Sequence, residues 1–89
     1  MLNNLFSTFT IKGKTMKNRT VVPGMVMNLA TTDGMCTERY IQYFETKAKG
    51  GFALVMPGSV AVRPEGRAFV QIPGLWKDEQ AESWKEFTK

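Results

Sequence analysis

Few side chains in this sequence are suited to catalysis or metal binding. Its 89 residues include no histidine and one cysteine, Cys36. Because histidine is the commonest general base near neutral pH and a common zinc ligand, His-containing catalytic triads and His-rich metal sites are excluded within these residues. Cys36 precedes a predicted helix, whose dipole could lower the pKa of a thiol, but no histidine or second cysteine is near it. An ordinary thiol is the favoured interpretation, and no metal site is predicted.

The basic motifs favour solvated surface over ligand sites. Gly13-Lys14-Thr15 matches the end of a phosphate-binding loop, but Thr8 stands where that motif requires its first glycine. The basic run from Lys12 to Arg19 lacks an accompanying aromatic platform on which bases could stack. A charged hairpin turn with a solvated face is therefore predicted, and no nucleic-acid partner.

Two other sets of chemistry-bearing side chains are predicted to be structural. Trp76 and Trp84 could stack on a planar ligand, but tryptophans around one amphipathic helix are more often packing anchors. The acidic residues of the same helix lie in its early turns or on its polar side, where they suit the helix dipole and form no acid/base pair. They are Asp78, Glu79, Glu82 and Glu86.

Composition indicates one small globular domain. The chain is 43% hydrophobic and 22% charged, with a formal net charge of +4, so neither a disordered nor a fibrous class is favoured. No segment reaches the roughly 18 consecutive apolar residues of a membrane span. A lone cysteine cannot form an internal disulfide, which is typical of a reducing compartment. The sequence therefore predicts a cytoplasmic protein without a membrane partner.

The elements that must position these residues begin with a hairpin. Apolar and polar residues alternate in 9–11 and 15–17 around Lys12-Gly13-Lys14, which predicts a tight antiparallel turn. Two unbroken apolar runs follow, Thr20–Met27 and Phe52–Met56, and a Pro-Gly pair interrupts or ends each of them. Such runs are typical of parallel strands that are buried on both faces.

Two helices are also predicted. Thr37 is a suitable N-cap for a helix of about 13 residues that ends at Gly50-Gly51. Asp78 is a suitable N-cap for a second helix near the end of the chain. The residues expected to face inward are Tyr40, Ile41, Phe44 and Ala48 on the first helix, and Ala81, Trp84 and Phe87 or Thr88 on the second.

The order strand, helix, strand predicts an α/β fold with a right-handed βαβ unit. Ligands of such units bind beyond the carboxyl ends of the strands, which here are Pro23–Asn28 and Pro57–Val60. Two strands leave both edges of the sheet unpaired, a state that favours aggregation or requires a partner. The chain is therefore expected to be part of a larger architecture.

Several segments, in one order along nearly the whole chain, carry a family resemblance. They are residues 5–7, 9–11 and 13–19 for an opening hairpin, 22–25 for a first barrel strand, 28–30 and 33–34 for a first loop, 43–45 and 47–51 for a first helix, and 64–67, 73–76 and 78–79 after a second strand. These segments resemble the Old Yellow Enzyme family, the FMN-dependent NADH:flavin oxidoreductases.

The resemblance implies a (β/α)₈ TIM barrel that binds FMN and passes a hydride from NADH or NADPH, through the flavin, to an activated alkene or carbonyl-type acceptor. Such a barrel takes about 250 residues. Residues 1–89 are then a single incomplete domain: the N-terminal hairpin, strand 1, helix 1, strand 2 and part of helix 2. As a fragment or a truncated product, the chain is expected to be inactive alone and to associate with the remainder of the barrel or with itself. The alternative is a small stand-alone βα binding or assembly module without redox activity.

The resemblance also implies part of a flavin site. The implied cofactor-binding residues are Pro23, Gly24, Met25, Val26 and Ser59, and the implied substrate-binding residue is Asn28. Gly24 replaces a frequent proline of the family. Val26 stands where the family usually has Thr or Cys, and it offers no hydrogen bond to a flavin carbonyl. No catalytic residue is assigned in this chain, because the family's catalytic side chains belong to later strands.

Overall fold

The hairpin predicted at the start of the chain is present in the computed structural model, which describes residues 3–89. Strands β1 (Phe9–Ile11) and β2 (Lys14–Met16) are antiparallel. Lys12 and Gly13 between them have φ values of 48° and 81°. Two successive residues with positive φ are typical of a type I′ turn, whose twist matches that of the flanking strands. The second strand begins one residue earlier than predicted.

A parallel βαβ unit follows the hairpin. Strand β3 (Val21–Val22) pairs in parallel with strand β4 (Leu54–Val55), and helix α1 (Glu38–Lys49) lies between them in the chain. This confirms the predicted order of elements. Both strands are shorter than the apolar runs that predicted them, in part because Pro23 lacks the N–H that a longer ladder would use.

Helix α1 begins and ends where its caps predict. The Thr37 hydroxyl accepts a hydrogen bond from the Tyr40 amide at 3.0 Å, which satisfies one of the free amides of the first turn. Gly51, just beyond the helix, has a φ of 114°, a conformation that favours glycine. Tyr40 and Phe44 are buried as predicted. Ala48 is exposed, so its predicted inward position is wrong; it borders an open cleft near the end of the helix.

Helix α2 (Asp78–Phe87) starts one residue earlier than predicted. Lys77 is extended, with a φ of −151°, and occupies the N-cap position, so the prediction that Asp78 caps this helix is wrong. The buried side of the helix includes Gln80. Ala81 follows it by about 100° around the axis and is exposed, contrary to prediction. Within residues 3–89, no helix is long and apolar enough to cross a membrane.

Aromatic side chains join the two helices. Tyr40 and Phe44 of α1 meet Trp84 and Phe87 of α2, with ring centroids 5.5–5.9 Å apart between the helices. The rings are tilted or edge-to-face, arrangements that add roughly 0.5–1.5 kcal/mol per pair beyond the burial of area. This cluster agrees with the prediction that Trp84 is a packing anchor.

The other face of the β3–β4 sheet is open. Phe52, Leu54 and Met56, in β4 and beside its two ends, alternate with less exposed neighbours, and these three residues are 38–41% exposed. Val21 of β3 is exposed to a similar extent, 37%. The prediction that both faces of these strands are buried is therefore wrong for this chain. Helix α1 packs on one face, and no element within residues 3–89 covers the other.

Candidate functional site

The carboxyl ends of β3 and β4 lie side by side, as predicted for a βαβ unit. A Cβ added at Gly58 would overlap the Met25 carbonyl oxygen and would lie 3.1 Å from Val26 Cα. A Cβ added at Gly24 would lie 3.2 Å from the Pro57 carbonyl oxygen. The backbones of 23–26 and 57–59 therefore approach so closely that glycine is required at 58 and favoured at 24. We call these two segments the strand-end wall.

The exposed side chains of the strand-end wall are uncharged. Pro23, Met25 and Val26 are apolar and exposed, and Ser59 adds one exposed hydroxyl. The wall therefore offers an apolar surface with little side-chain bulk at its two glycines. Such a surface suits the face of a planar aromatic ring and provides no charge to hold an anion.

Asn28, predicted to face a substrate, connects two loops. Its side-chain oxygen accepts a hydrogen bond from the Gln71 amide at 2.9 Å. The Ala30 amide donates to the Gln71 carbonyl, also at 2.9 Å. Asn28 and Ala30 thus bracket Gln71 and fasten the loop after β3 to the loop after β4. Contact of Asn28 with a substrate stays a prediction.

Arg67 fastens the same two loops at a second point. Its guanidinium donates to the carbonyl oxygens of Thr32 (2.6 Å), Val70 (3.2 Å) and Pro64 (3.1 Å). It also lies 5.4 Å from the centroid of the Trp76 ring, a cation–π distance. With these partners the guanidinium is an organiser of the loops. Reasoning from sequence missed this role, because Thr32 lies 35 positions away along the chain.

Gln80 connects helix α2 to the loop after β3. Its fully buried side chain accepts from the Trp76 amide at 2.8 Å and donates to the Asp33 carbonyl at 3.0 Å. Lys77 forms an ion pair with the Asp33 carboxylate at 2.6 Å. The start of α2 and both strand-end loops therefore form one connected body. A glutamine at the third position of a helix, where it can reach back to a preceding amide, was the one sequence signal for this role.

Within residues 3–89, two titratable groups have clearly shifted pKa values, and both are poor proton donors. Burial raises the pKa of the Cys36 thiol to about 11, partly offset by the Ser83 side chain. Burial also raises the pKa of Tyr40 to about 12. A backbone contact with Gly58 lowers this pKa somewhat, and the charge of a Cys36 thiolate would raise it further. The Tyr40 hydroxyl is buried and forms no hydrogen bond of normal geometry within residues 3–89. Both groups are therefore expected to be protonated near neutral pH, which disfavours the reactive thiolate form of Cys36.

Comparison with known families decides the affiliation of this chain. The model of the NADH:flavin oxidoreductase / NADH oxidase family matches residues 4–89. The chain belongs to this family.

No group of three or more potential metal-ligating side chains occurs within residues 3–89.

Individual relatives of this flavin oxidoreductase family are much longer than the chain. A NADPH dehydrogenase of Bacillus cytotoxicus is 40% identical over 83 residues, which are 92% of this chain and 24% of the relative. A 2-naphthoyl-CoA reductase in complex with 2-naphthoyl-CoA superposes with a TM-score of 0.93 at 28% identity, covering 98% of this chain and 13% of the reductase. The Old Yellow Enzyme homologue from Zymomonas mobilis gives 0.85 at 28% identity, covering 96% and 23%. The chain thus spans about a quarter of the length of the curated relatives it matches.

These matches confirm the resemblance to the Old Yellow Enzyme family and the predicted fold class. The chain is an α/β unit that corresponds to the N-terminal portion of Old Yellow Enzyme barrels. The roles of the strand-end wall toward flavin and of Asn28 toward substrate stay predictions.

Proposed function

We propose that residues 1–89 form the first quarter of an FMN-dependent NAD(P)H oxidoreductase barrel and supply part of its flavin site. In this proposal the chain is a single incomplete domain and is not catalytic alone. Its partner is the remainder of the barrel, or further copies of the chain. The observation that carries the proposal is the close approach of the Gly58 and Met25 backbones at the strand ends of a chain that belongs to this family.

The residues present suit the ring of FMN better than its phosphate. The isoalloxazine ring would be held by the backbone and the small or apolar side chains of the strand-end wall. These residues are Pro23, Gly24, Met25, Val26 and Ser59. Bound FMN would supply hydride transfer, with NADH or NADPH as the reductant. The cations of the loop between β4 and α2 have other partners: Glu65 for Arg63, three carbonyl oxygens for Arg67 and Asp33 for Lys77. A phosphate would therefore be held by later parts of the barrel.

The connected loops support the proposal that the acceptor lies beside this wall. Asn28 is two residues beyond Val26, and it accepts a hydrogen bond from the Gln71 amide, next in the chain to the exposed Phe69 and Val70. In the complete enzyme these residues would shape the acceptor site and exclude water from it. An activated alkene or carbonyl-type acceptor is the proposed class. The complex of a similar reductase with 2-naphthoyl-CoA supports a conjugated acceptor of this kind.

A stand-alone binding module is the less favoured function, because such a module would bury its sheet. Here the β3–β4 sheet leaves an apolar face open, with Leu54 and Met56 about two-fifths exposed. In a barrel, that face of the strands would be covered by side chains from the other strands.

A chimera tests the proposal. Residues 1–89 are joined to the part of the Bacillus cytotoxicus NADPH dehydrogenase that follows its matching segment. The chimera is expected to retain FMN and to oxidise NADPH with a conjugated enone as acceptor. The two variants are Gly58→Val, expected to lose flavin because the strand ends can no longer approach each other closely, and Gly66→Ala, expected to retain it because a Cβ there meets no atom within 4 Å. A folded chimera without flavin, or one in which both variants retain flavin equally, would contradict the proposal.

A further inference from the structure

The guanidinium of Arg67 bridges the two loops that follow the strand-end wall. Its Nη1 atom donates both to the Thr32 carbonyl at 2.6 Å, in the loop after β3, and to the Val70 carbonyl at 3.2 Å, in the loop after β4. Its Nε atom donates to the Pro64 carbonyl at 3.1 Å. One planar group therefore holds three backbone carbonyls at fixed relative positions, a geometry that suits the rigid fork of arginine and not the flexible ammonium of lysine.

The ring of Trp76 fills the space between the same two loops. A Cβ added at Gly34 would lie 2.7 Å from its Cη2 atom, and a Cβ added at Gly74 would overlap the ring. The indole therefore packs where these two residues have no side chain. The Arg67 guanidinium lies 5.4 Å from the ring centroid, a cation–π distance. We call Arg67 and Trp76 the Arg–Trp clasp.

Arg67 acts on the backbone rather than on an opposite charge. The ion pairs found within residues 3–89 do not include it. Arg63, four residues earlier in the same loop, instead pairs with the Glu65 carboxylate at 2.7 Å and is exposed. Exposed ion pairs of this kind contribute little to stability. The two arginines therefore carry the same charge in one loop, but only Arg67 connects that loop to the loop after β3.

The clasp and Asn28 hold a short segment at its two ends. Arg67 is joined to Thr32 at one end, and the Gln71 amide donates to the Asn28 side chain at the other. Residues 68–70 lie between these two connections. Their position relative to the loop after β3 therefore depends on both of them, whereas the close approach of the strand-end wall, at Gly58, involves neither.

We propose that Arg67 is a positioning residue for the acceptor, acting through residues 68–70. It contacts neither acceptor nor flavin, and it holds this segment against the loop after β3, beside the strand-end wall. The inference rests on the proposed function, in which the flavin ring lies on the wall and the acceptor beside it. Because the backbone contacts of the wall do not involve Arg67, its loss should weaken acceptor binding and leave flavin retention unchanged.

Steady-state kinetics of the chimera with a conjugated enone test this role. Arg67→Ala is expected to raise the KM for the enone about tenfold, the equivalent of roughly one lost hydrogen bond to a charged group. The kcat and the FMN content per chain should be nearly unchanged. Arg67→Lys keeps the charge but not the fork, so its KM should also rise. The matched control is Arg63→Ala, which removes the same charge from the same loop and should leave the KM unchanged.

The outcomes separate this inference from the proposed function. If the parent chimera binds no flavin, the proposed function fails and the inference fails with it. If the parent chimera is active, equal KM values for Arg67→Ala and Arg63→Ala contradict the inference alone. Loss of FMN from Arg67→Ala would place Arg67 in the flavin site and would also contradict it. If circular dichroism shows that Arg67→Ala does not fold, Arg67→Lys decides, and an unchanged KM for that variant overturns the inference.

Discussion

Replacing Gly58 by alanine should destabilise the chain more than any other glycine-to-alanine change at the strand ends. The new Cβ would overlap the Met25 carbonyl oxygen and lie 2.9 Å from the Met25 carbonyl carbon and 3.1 Å from Val26 Cα. All three are backbone atoms, so no side chain can rotate away. The two strand ends would have to separate, which disturbs the wall formed by both segments.

The expected loss can be graded against two other glycines. Overpacking of this kind costs about 1–3 kcal/mol, and we expect Gly58→Ala in the upper part of that range. At Gly24 a Cβ would lie 3.2 Å from the Pro57 carbonyl oxygen. A small backbone shift relieves this close contact, so Gly24→Ala should lower the free energy of unfolding by less than about 1 kcal/mol. At Gly66 a Cβ meets nothing within 4 Å, so alanine should be neutral or stabilise the chain by up to about 1 kcal/mol.

Urea unfolding followed by far-UV circular dichroism measures this series. All three variants are compared with the parent chain at one protein concentration, because association changes the apparent stability. The midpoints should fall in the order Gly66→Ala, Gly24→Ala, Gly58→Ala, with an unchanged dependence on urea. If Gly58→Ala unfolds at the same midpoint as Gly66→Ala, the strand ends are not in contact and the reasoning about the wall is refuted.

Three further predictions concern the loop network, the thiol and the flavin. Gln80→Ala should lower the free energy of unfolding by about 2 kcal/mol, because the Trp76 amide loses its partner; the exposed Gln42→Ala is the control, and equal effects would refute the network. Alkylation of Cys36 near neutral pH should be slower in the folded chain than in urea, and the free energy of unfolding should fall as pH rises from 9.0 to about 11, since folding disfavours the thiolate; equal alkylation rates would refute the burial. In the chimera, Val26→Thr should raise the flavin potential by about 30 mV for each 1.4 kcal/mol of added stabilisation of the reduced flavin. An unchanged flavin potential would show that residue 26 does not contact the flavin ring.

Local chemistry was sufficient to predict the hairpin, helix α1 and the order of the βαβ unit. Gly13 supplies a positive φ at the turn, and Thr37 caps the first helix with its own side chain. These features depend on residues within four positions of one another. The start of α2 was predicted less well, because Asp78 resembles a cap by residue type whereas the backbone becomes helical at Asp78 itself.

Burial could not be predicted from the apolar runs alone. Val21 and Leu54 belong to runs typical of strands buried on both faces, but no element among residues 3–89 covers the open face on which they lie. The apolar residues of a strand reflect the contacts that the strand makes in the complete fold. It therefore overestimates burial in a unit that has only two strands of the sheet.

The candidate site was predictable in position but not in geometry. Parallel strands bring their carboxyl ends to the same edge, which predicted that the segments after Val22 and Val55 would meet. The close approach at Gly58 depends on the path of two backbones, and the hydrogen bonds from Arg67 to Thr32 and from Gln80 to Asp33 join residues 35 and 47 positions apart. No local pattern predicts such contacts.

The flavin content of the purified chain tests most directly the claim that it supplies only part of a flavin site. The chain is incubated with FMN, passed through a desalting column and examined for flavin absorbance and for oxidation of NADH. The strand-end wall offers few polar contacts, and binding must offset several kcal/mol of lost translational and rotational freedom. We expect a colourless protein that oxidises NADH no faster than free FMN does. A yellow protein with one flavin per chain would contradict the account.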